Sequence, residues 1–158
     1  MKINSPKFYE SEIKNVRFGK NIKIIKPVNI YGCEIKDNCF IGPFVEIQKD
    51  TTIGISTKIQ SHTFICELVT IGNNCFIGHS VVFINDKFSE GKPAQGNKEF
   101  WKKTTIGNNV SIGSNTTILP VKICDNVVIG AGAVVTKDII LPGCYVGNPA
   151  KFLKPIQK

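Results

Sequence analysis

The side chains able to do chemistry are few and regularly placed. The chain has two histidines, His62 and His79, and Glu67 stands eighteen residues before Asn85, which is followed directly by Asp86. A carboxylate, a carboxamide and a second carboxylate, if they meet, suit a ligand that carries an amine and hydroxyls, because together they accept and donate hydrogen bonds. An imidazole is the usual side chain for moving a proton near neutrality. Whether these groups meet depends on the element that holds them.

Ile35, Ile41, Ile47, Ile53, Ile59, Ile65, Ile71, Ile77 and Phe83 recur every six residues without a slip. A helix repeats near 3.6 residues and a strand near 2, so a sustained period of six marks a parallel β-helix, in which a short strand and a bend recur around each coil. The ladder stops in a polar stretch, resumes at Ile106, Ile112 and Ile118, runs on through Ile123, Ile129 and Val135, and is expected to end at Ile140 and Val146. Three hexads form a triangular coil, so residues eighteen apart lie above one another at about 4.8 Å, the spacing of paired strands. The fifth hexad position is small or β-branched, as at Val45, Thr57, Cys75, Val110 and Ala133, which fits a narrow interior. Glycine follows many ladder residues, and the Asn-Asn pairs at 73–74 and 108–109 suit bends that tolerate left-handed backbone angles.

Counting hexads converts spacing into position. Glu67 and Asn85 are both third in their hexads and stack at one corner, with Asp86 beside them; the same pair, Asn85-Asp86, would also serve to open a loop as an Asx turn. His79, also third, falls on the adjacent corner with Ser114, Ala131 and Asn148, once shortened hexads at 118–122 and 135–139 are allowed for. Small residues there, Gly113 among them, leave a line of accessible backbone suited to a long thin ligand such as a pantetheine arm, although tight corners alone also select small residues. His62 is fourth in its hexad, one step off that column, and is expected to support the corner. The insertion leaves the solenoid at a corner, where solenoids carry binding faces, and its Phe100 and Trp101 could stack on a base or anchor the loop to a neighbouring subunit.

The reading is one all-β domain over 1–158, with coils at about 16–151, an inserted loop at about 85–104 and a short tail at 152–158. A formal charge of +8 favours anionic partners. The lysines are spread without aromatic interleaving and Arg17 is the single arginine, which argues against nucleic acid and for phosphorylated small molecules. No stretch has the apolar run of a signal peptide or a membrane span, so no membrane partner and a cytoplasmic location are expected. Six cysteines without a Cys-x-x-Cys pair read as small buried hydrophobes rather than disulfides or metal ligands.

The ladder over roughly 16–151 resembles the hexapeptide-repeat, left-handed β-helix acyltransferases. Residues 106–120, 128–138 and 147–151 look like that family's coenzyme A segment. Residues 61–67, then 78–86 and Trp101-Lys102, are similar to enzymes that N-acetylate the 3-amino group of nucleotide-linked amino sugars, among them dTDP-3-amino-3,6-dideoxyhexoses and a UDP-linked 3-amino uronic acid. The resemblance implies left-handed winding, against the usual crossover rule, acetyl-CoA as co-substrate with no metal, a homotrimer with sites between subunits, and a product used in glycan biosynthesis. Carried over by position, Asn85 would bond the amine, and Glu67, Asp86 and His62 would hold the substrate. His79 would lie at the thioester, either as base or with coenzyme A sulfur taking the proton. Gly113, Ser114, Ala131 and Asn148 would line the pantetheine, and Lys137 and Lys151 would meet coenzyme phosphates.

Other classes fit less well. A γ-class carbonic anhydrase shares the fold but needs three zinc histidines, and this chain has two. An ice binder wants a flat threonine array, whereas the pairs at 51–52, 104–105 and 116–117 look scattered, and a scaffold needs no aligned groove. Within enzymes the rival is O-acetylation of a sugar or small antibiotic, which would require His79 to activate a hydroxyl.

Overall fold

Each ladder residue ends a strand of two or three residues, such as Phe64–Ile65 or Phe76–Ile77, and points inward while the residue before it faces out. The computed structural model, which describes residues 7 and 9–156, stacks these strands in register into three sheets around a triangular prism. Sheet I has seven strands, from Ile13–Lys14 through Phe64–Ile65 and Val82–Phe83 to Val134–Val135. Sheet II has six, from Arg17–Phe18 to Lys122–Ile123. Sheet III has eight, from Lys23–Ile24 through Phe76–Ile77 and Ser111–Ile112 to Lys151–Lys154. Strands within the sheets pair in parallel except for the last, which folds back antiparallel on Gly143–Val146 and covers the edge that an open coil would present, and an antiparallel bridge between Asp86 and Trp101 closes the base of the inserted loop. Ile13 already pairs with Ile30. No helix among the described residues is long and apolar enough to cross a membrane.

From Ile35 to Val135 every ladder residue is at most 2% exposed. The fifth-position residues fill the remaining interior, and their polar atoms are satisfied locally. Thr57 and Thr63 donate to the carbonyls of Gly72 and Gly78 at 2.9 Å, and the Cys39 and Cys75 thiols reach the carbonyls of Gly54 and Gly107 at 3.1 and 3.2 Å. A buried hydroxyl is therefore compatible with this core. The six cysteines are free thiols, and Cys33, Cys39, Cys66 and Cys75 are buried.

Asparagine and glycine serve the bends in different ways. Asn74 and Asn109 carry the left-handed angles, with φ of 54° and 55°. The glycines after the ladder residues serve close approach instead: a Cβ on Gly72 would lie 2.4 Å from the carbonyl of Gly107.

In the last coil the expected ladder slips by one. Ile139, not Ile140, is the buried residue and bridges Ile123, and Tyr145, not Val146, pairs with Ile129. Ile140 is 79% exposed. The connection after Val135 is one residue shorter than expected because Asp138 accepts from the Lys122 amide at 2.8 Å, which draws Ile139 in. Three consecutive apolar residues, Ile139-Ile140-Leu141, gave periodicity no means of choosing. The threonines also differ from expectation, since Thr52, Thr70 and Thr105 form one outward row on sheet II, between Glu34 and Lys122.

Burial pushes the Cys33 thiol from an ordinary 9.0 up to about 11 and the Cys66 thiol up to about 12. Because the folded values are raised, the stabilisation is complete below about pH 9 and is lost as pH climbs through that window. We expect alkaline unfolding followed by circular dichroism to begin above pH 9, and Cys33, Cys39, Cys66 and Cys75 to resist a thiol reagent at pH 8 until denaturant is added. Rapid native labelling of those four would contradict the packing.

Candidate active site

Two corners flank sheet I and hold the residues singled out in the sequence. Between sheets III and I the third hexad positions run Pro43, Ser61, His79, Ser114 and Ala131, tied coil to coil by the backbone. The Ser80 amide donates to the Ser61 carbonyl at 3.0 Å, Asn115 to His79 at 2.9 Å and Gly132 to Ser114 at 2.9 Å. His79 is exposed, and its Nδ1 lies 2.8 Å from Ser61 Oγ. Its amide donates to Ser114 Oγ at 3.2 Å. The Ser61 contact fixes the ring, and when Nδ1–H donates to Ser61 the other nitrogen, Nε2, is left able to take a proton.

On the C-terminal side of His79, Gly113, Ser114 and Ala131 form the expected line of small residues. A Cβ on Gly113 would sit 2.4 Å from the Ala131 amide, so close coil contact requires glycine there. Among the described residues nothing accepts a hydrogen bond from the amides of Ser114 or Ala131. The slip in the last coil moves Gly147 into the column in place of Asn148, which lies one residue beyond in the turn of the terminal hairpin. Lys151 starts the hairpin's second strand, opposite Val146. On the N-terminal side, His62 stacks on Phe44 with ring centroids 4.8 Å apart.

At the corner between sheets I and II, Glu67 is buried and Asn85 lies one coil above it, its Nδ2 donating to the Glu67 carbonyl at 3.3 Å. The Glu67 carboxylate is not free. Lys98 of the inserted loop meets Oε2 at 2.8 Å and Lys49 approaches Oε1 to 3.7 Å. The bond to Glu67 holds the Lys98 ammonium above its ordinary range, and Lys98 also lies 5.7 Å from the centre of the Trp101 ring. Asp86 serves the loop itself. Its Oδ1 accepts from the Phe88 amide at 2.8 Å and its Oδ2 from Ala94 at 2.7 Å, an Asx turn plus a staple, while Lys102 donates to the Asn85 carbonyl at 2.9 Å.

The structure thus brings Glu67 and Asn85 together, with the Asp86 carboxylate turned into the loop, and separately groups His79, Gly113, Ser114 and Ala131. The strand Val82–Phe83 lies between the two groups. Lys137 follows Val135 onto the Glu67 corner rather than the His79 corner. Sequence reasoning missed Lys49 and Lys98 as partners of Glu67. Lys49, eighteen residues before it, was within reach of column counting; Lys98, in an aperiodic loop, was not. Among the described residues no three His, Cys, Asp or Glu are grouped as metal ligands.

A family model described as "Hexapeptide repeat of succinyl-transferase" matches residues 68–84 and 103–137. The Bifunctional protein GlmU of Clostridium botulinum is 41% identical over 100 residues, 63% of this chain but 19% of that protein, so the match spans about a fifth of the curated relative. Among solved structures, a point mutant of AntD, an N-acyltransferase from Bacillus cereus in complex with dTDP and Coenzyme A, superposes with a TM-score of 0.78 at 23% identity, covering 91% of this chain and 85% of that one. A maltose O-acetyltransferase from Clostridium difficile 630 superposes at 0.57 with 25% identity, covering 92% and 72%. By repeat and by fold this chain shares the hexapeptide-repeat β-helix architecture of these proteins.

The Lys98 contact generates a prediction. Lys98→Met should speed amide hydrogen exchange severalfold in residues 87–100 while exchange in the coils and the melting temperature change little, because the ion pair ties down the loop and not the prism. Loop exchange equal to the parent's would show that Asp86 alone holds the insertion.

Proposed function

We propose that the protein transfers acetyl from acetyl-CoA to the C3 amine of a dTDP-linked 3-amino-3,6-dideoxyhexose for glycan biosynthesis. The observation that carries this reading is a solvent-facing imidazole, His79, fixed by Ser61 at the end of a line of small residues with open amides, and set across one strand from a carboxylate and carboxamide corner. The AntD structure in complex with dTDP and Coenzyme A, and a mutant perosamine N-acetyltransferase from Caulobacter crescentus in complex with CoA and GDP-perosamine, support the ligand classes. A UDP-linked amino sugar is the neighbouring alternative. O-acetylation is the second reading, favoured by the likeness to a maltose O-acetyltransferase.

In the proposed step the neutral amine attacks the thioester carbonyl; the C–N bond forms, the C–S bond breaks, and the amine proton passes through His79 Nε2 to the leaving sulfur. Asn85 and Glu67 aim the amine. Pairing Glu67 with Lys98 and Lys49 suits this task, since a bare carboxylate would hold the amine as a non-nucleophilic ammonium. Gly113, Ser114 and Ala131 receive the pantetheine through backbone amides, and Lys151 is the nearer of the two proposed phosphate contacts by its place at the end of that corner. Lys137 and Asn148 would reach the coenzyme only from a second subunit or the hairpin turn. His62 and Asp86 act by support, His62 through its stack and Asp86 through the loop.

A catalytic assembly needs both corners, and one chain holds them on opposite edges of sheet I. A C3 homotrimer with sheet I facing its neighbours would let the His79 corner of one subunit meet the Glu67 corner of the next, and the outward row Phe64, Val82, Thr117 and Val134 is apolar enough for such a contact. We place the protein in the cytoplasm, in keeping with its free thiols.

A thiol-release assay with acetyl-CoA and a panel of nucleotide 3-amino sugars tests the reaction, and activity only on hydroxyl acceptors would favour O-acetylation. His79→Ala should lower turnover about 10²–10⁴-fold as loss of a general base; a mild effect would assign the proton to the coenzyme sulfur. Asn85→Ala should raise the Michaelis constant for the sugar, and Ala131→Leu that for acetyl-CoA, with light scattering still reporting a trimer. Full activity in Asn85→Ala and Glu67→Ala would place the amine elsewhere.

A further inference from the structure

The corner that carries His79 changes character on either side of it. Towards the C terminus it is small residues and bare backbone. Towards the N terminus the fourth hexad positions of successive coils are rings: Pro27, Phe44 and His62, stacked by backbone bonds from Phe44 to the Pro27 carbonyl and from His62 to the Pro43 carbonyl. Phe44 is unusual among the bends of the prism. It is 57% exposed and holds φ at 59°, a left-handed angle that asparagine adopts at Asn38, Asn74, Asn109, Asn115 and Asn126 and that His62 and Leu68 share. A bulky aromatic residue gains nothing at such an angle, and with its ring in solvent it gains little from the core. Its contact is His62, stacked on it at 4.8 Å with 28° between planes, so the imidazole backs one face of the Phe44 ring.

Beside that surface is a hollow of about 260 Å³ bounded by Pro27, Asn29, Phe44 and Glu46. Asn29 offers a carboxamide and Glu46 a carboxylate of which Oε1 already accepts from Gln48 at 2.9 Å, leaving Oε2. An aromatic face with a donor and acceptors at its rim is what a nucleobase requires, a π-surface for its plane and hydrogen-bonding groups for its edge. Phe44 lies two coils below Ser80, the neighbour of His79, which at strand spacing is about 10 Å, a distance that a diphosphate and a sugar ring can bridge.

We propose that Phe44, backed by His62, is the platform on which the base of the nucleotide sugar stacks, with Asn29 and Glu46 reading its edge. This rests on the reading of the substrate as a nucleotide sugar and adds where its nucleotide binds. It assigns the N-terminal half of the corner to the substrate nucleotide and the C-terminal half to the coenzyme, with His79 between the two reacting groups.

The test uses the full chain and thymidine diphosphate as probe, with uridine diphosphate alongside and free coenzyme A as control, in titration calorimetry. Phe44→Asn places at the bend the residue its backbone angle favours, so the fold is kept and the melting temperature should not fall. That variant should lose about tenfold or more in affinity for thymidine diphosphate, since stacking on an aromatic ring contributes on that scale. The Michaelis constant for the sugar nucleotide should rise to match, while coenzyme A binding stays unchanged. Phe44→Trp should keep binding, and its fluorescence should be quenched by the nucleotide. If Phe44→Asn binds within twofold of the parent while the parent acetylates a nucleotide amino sugar, the platform is overturned and the proposed reaction stands. If the parent neither binds a nucleoside diphosphate nor acetylates such a sugar, the reading beneath the platform fails with it.

Discussion

Paired strands lie about 4.8 Å apart, and this chain repeats that distance from coil to coil around all three sides of a prism. Everything else is accommodated to it. Inside, the spacing leaves room for one ladder of isoleucines and one ladder of small residues, so a hydroxyl or thiol is admitted where a carbonyl stands ready to accept, as at Thr57, Thr63, Cys39 and Cys75. At many corners the same spacing leaves no room for a side chain at the position after the ladder residue, and a Cβ at Gly72 or Gly113 would strike the next coil, whereas other corners admit one, as at Gln48, Gln60 and Cys66. The residues one and two places further on are then the first free to project.

That constraint makes each corner a column of projecting residues with a fixed vertical pitch, and a column can be varied along its length without disturbing the core. The corner between sheets III and I uses this freedom fully: rings at Pro27, Phe44 and His62, an imidazole at His79 fixed by Ser61, and small residues at Ser114 and Ala131. The corner between sheets I and II is used for charge. There a buried carboxylate, Glu67, is satisfied from below by Lys49 and from outside by Lys98, so the inserted loop is held by a contact that depends on a residue of the prism. Asp86 adds two bonds to loop amides and makes the departure point rigid.

The two corners are separated by a strand of two residues, Val82–Phe83, which is inextensible and outward-facing at Val82. A rigid solenoid has no hinge with which to close one corner on the other. If both take part in one reaction, the closure has to come from a second chain, and the geometry therefore ties the proposed chemistry to assembly more tightly than it would in a fold with a mobile cleft.

A period of six is a local property, and it was sufficient for the architecture, the inward ladder from Ile35 to Val135 and the columns that put Glu67 under Asn85 and His79 in line with Ser114 and Ala131, because a repeat of constant length maps sequence distance directly onto height. It failed only in the last coil, after Val135. In the last coil three apolar residues in succession were equivalent to any period, and the Asp138 bond to the Lys122 amide decided that Ile139 would be inside and that Gly147 would replace Asn148 in the column. The partners of Glu67, the stapling role of Asp86, the Ser61 contact and the Phe44–His62 stack were decided by tertiary structure, since each depends on the direction of a side chain or the path of an aperiodic loop. Spacing along the chain specifies which corner a residue occupies; only packing against the neighbouring coil specifies what its side chain can touch.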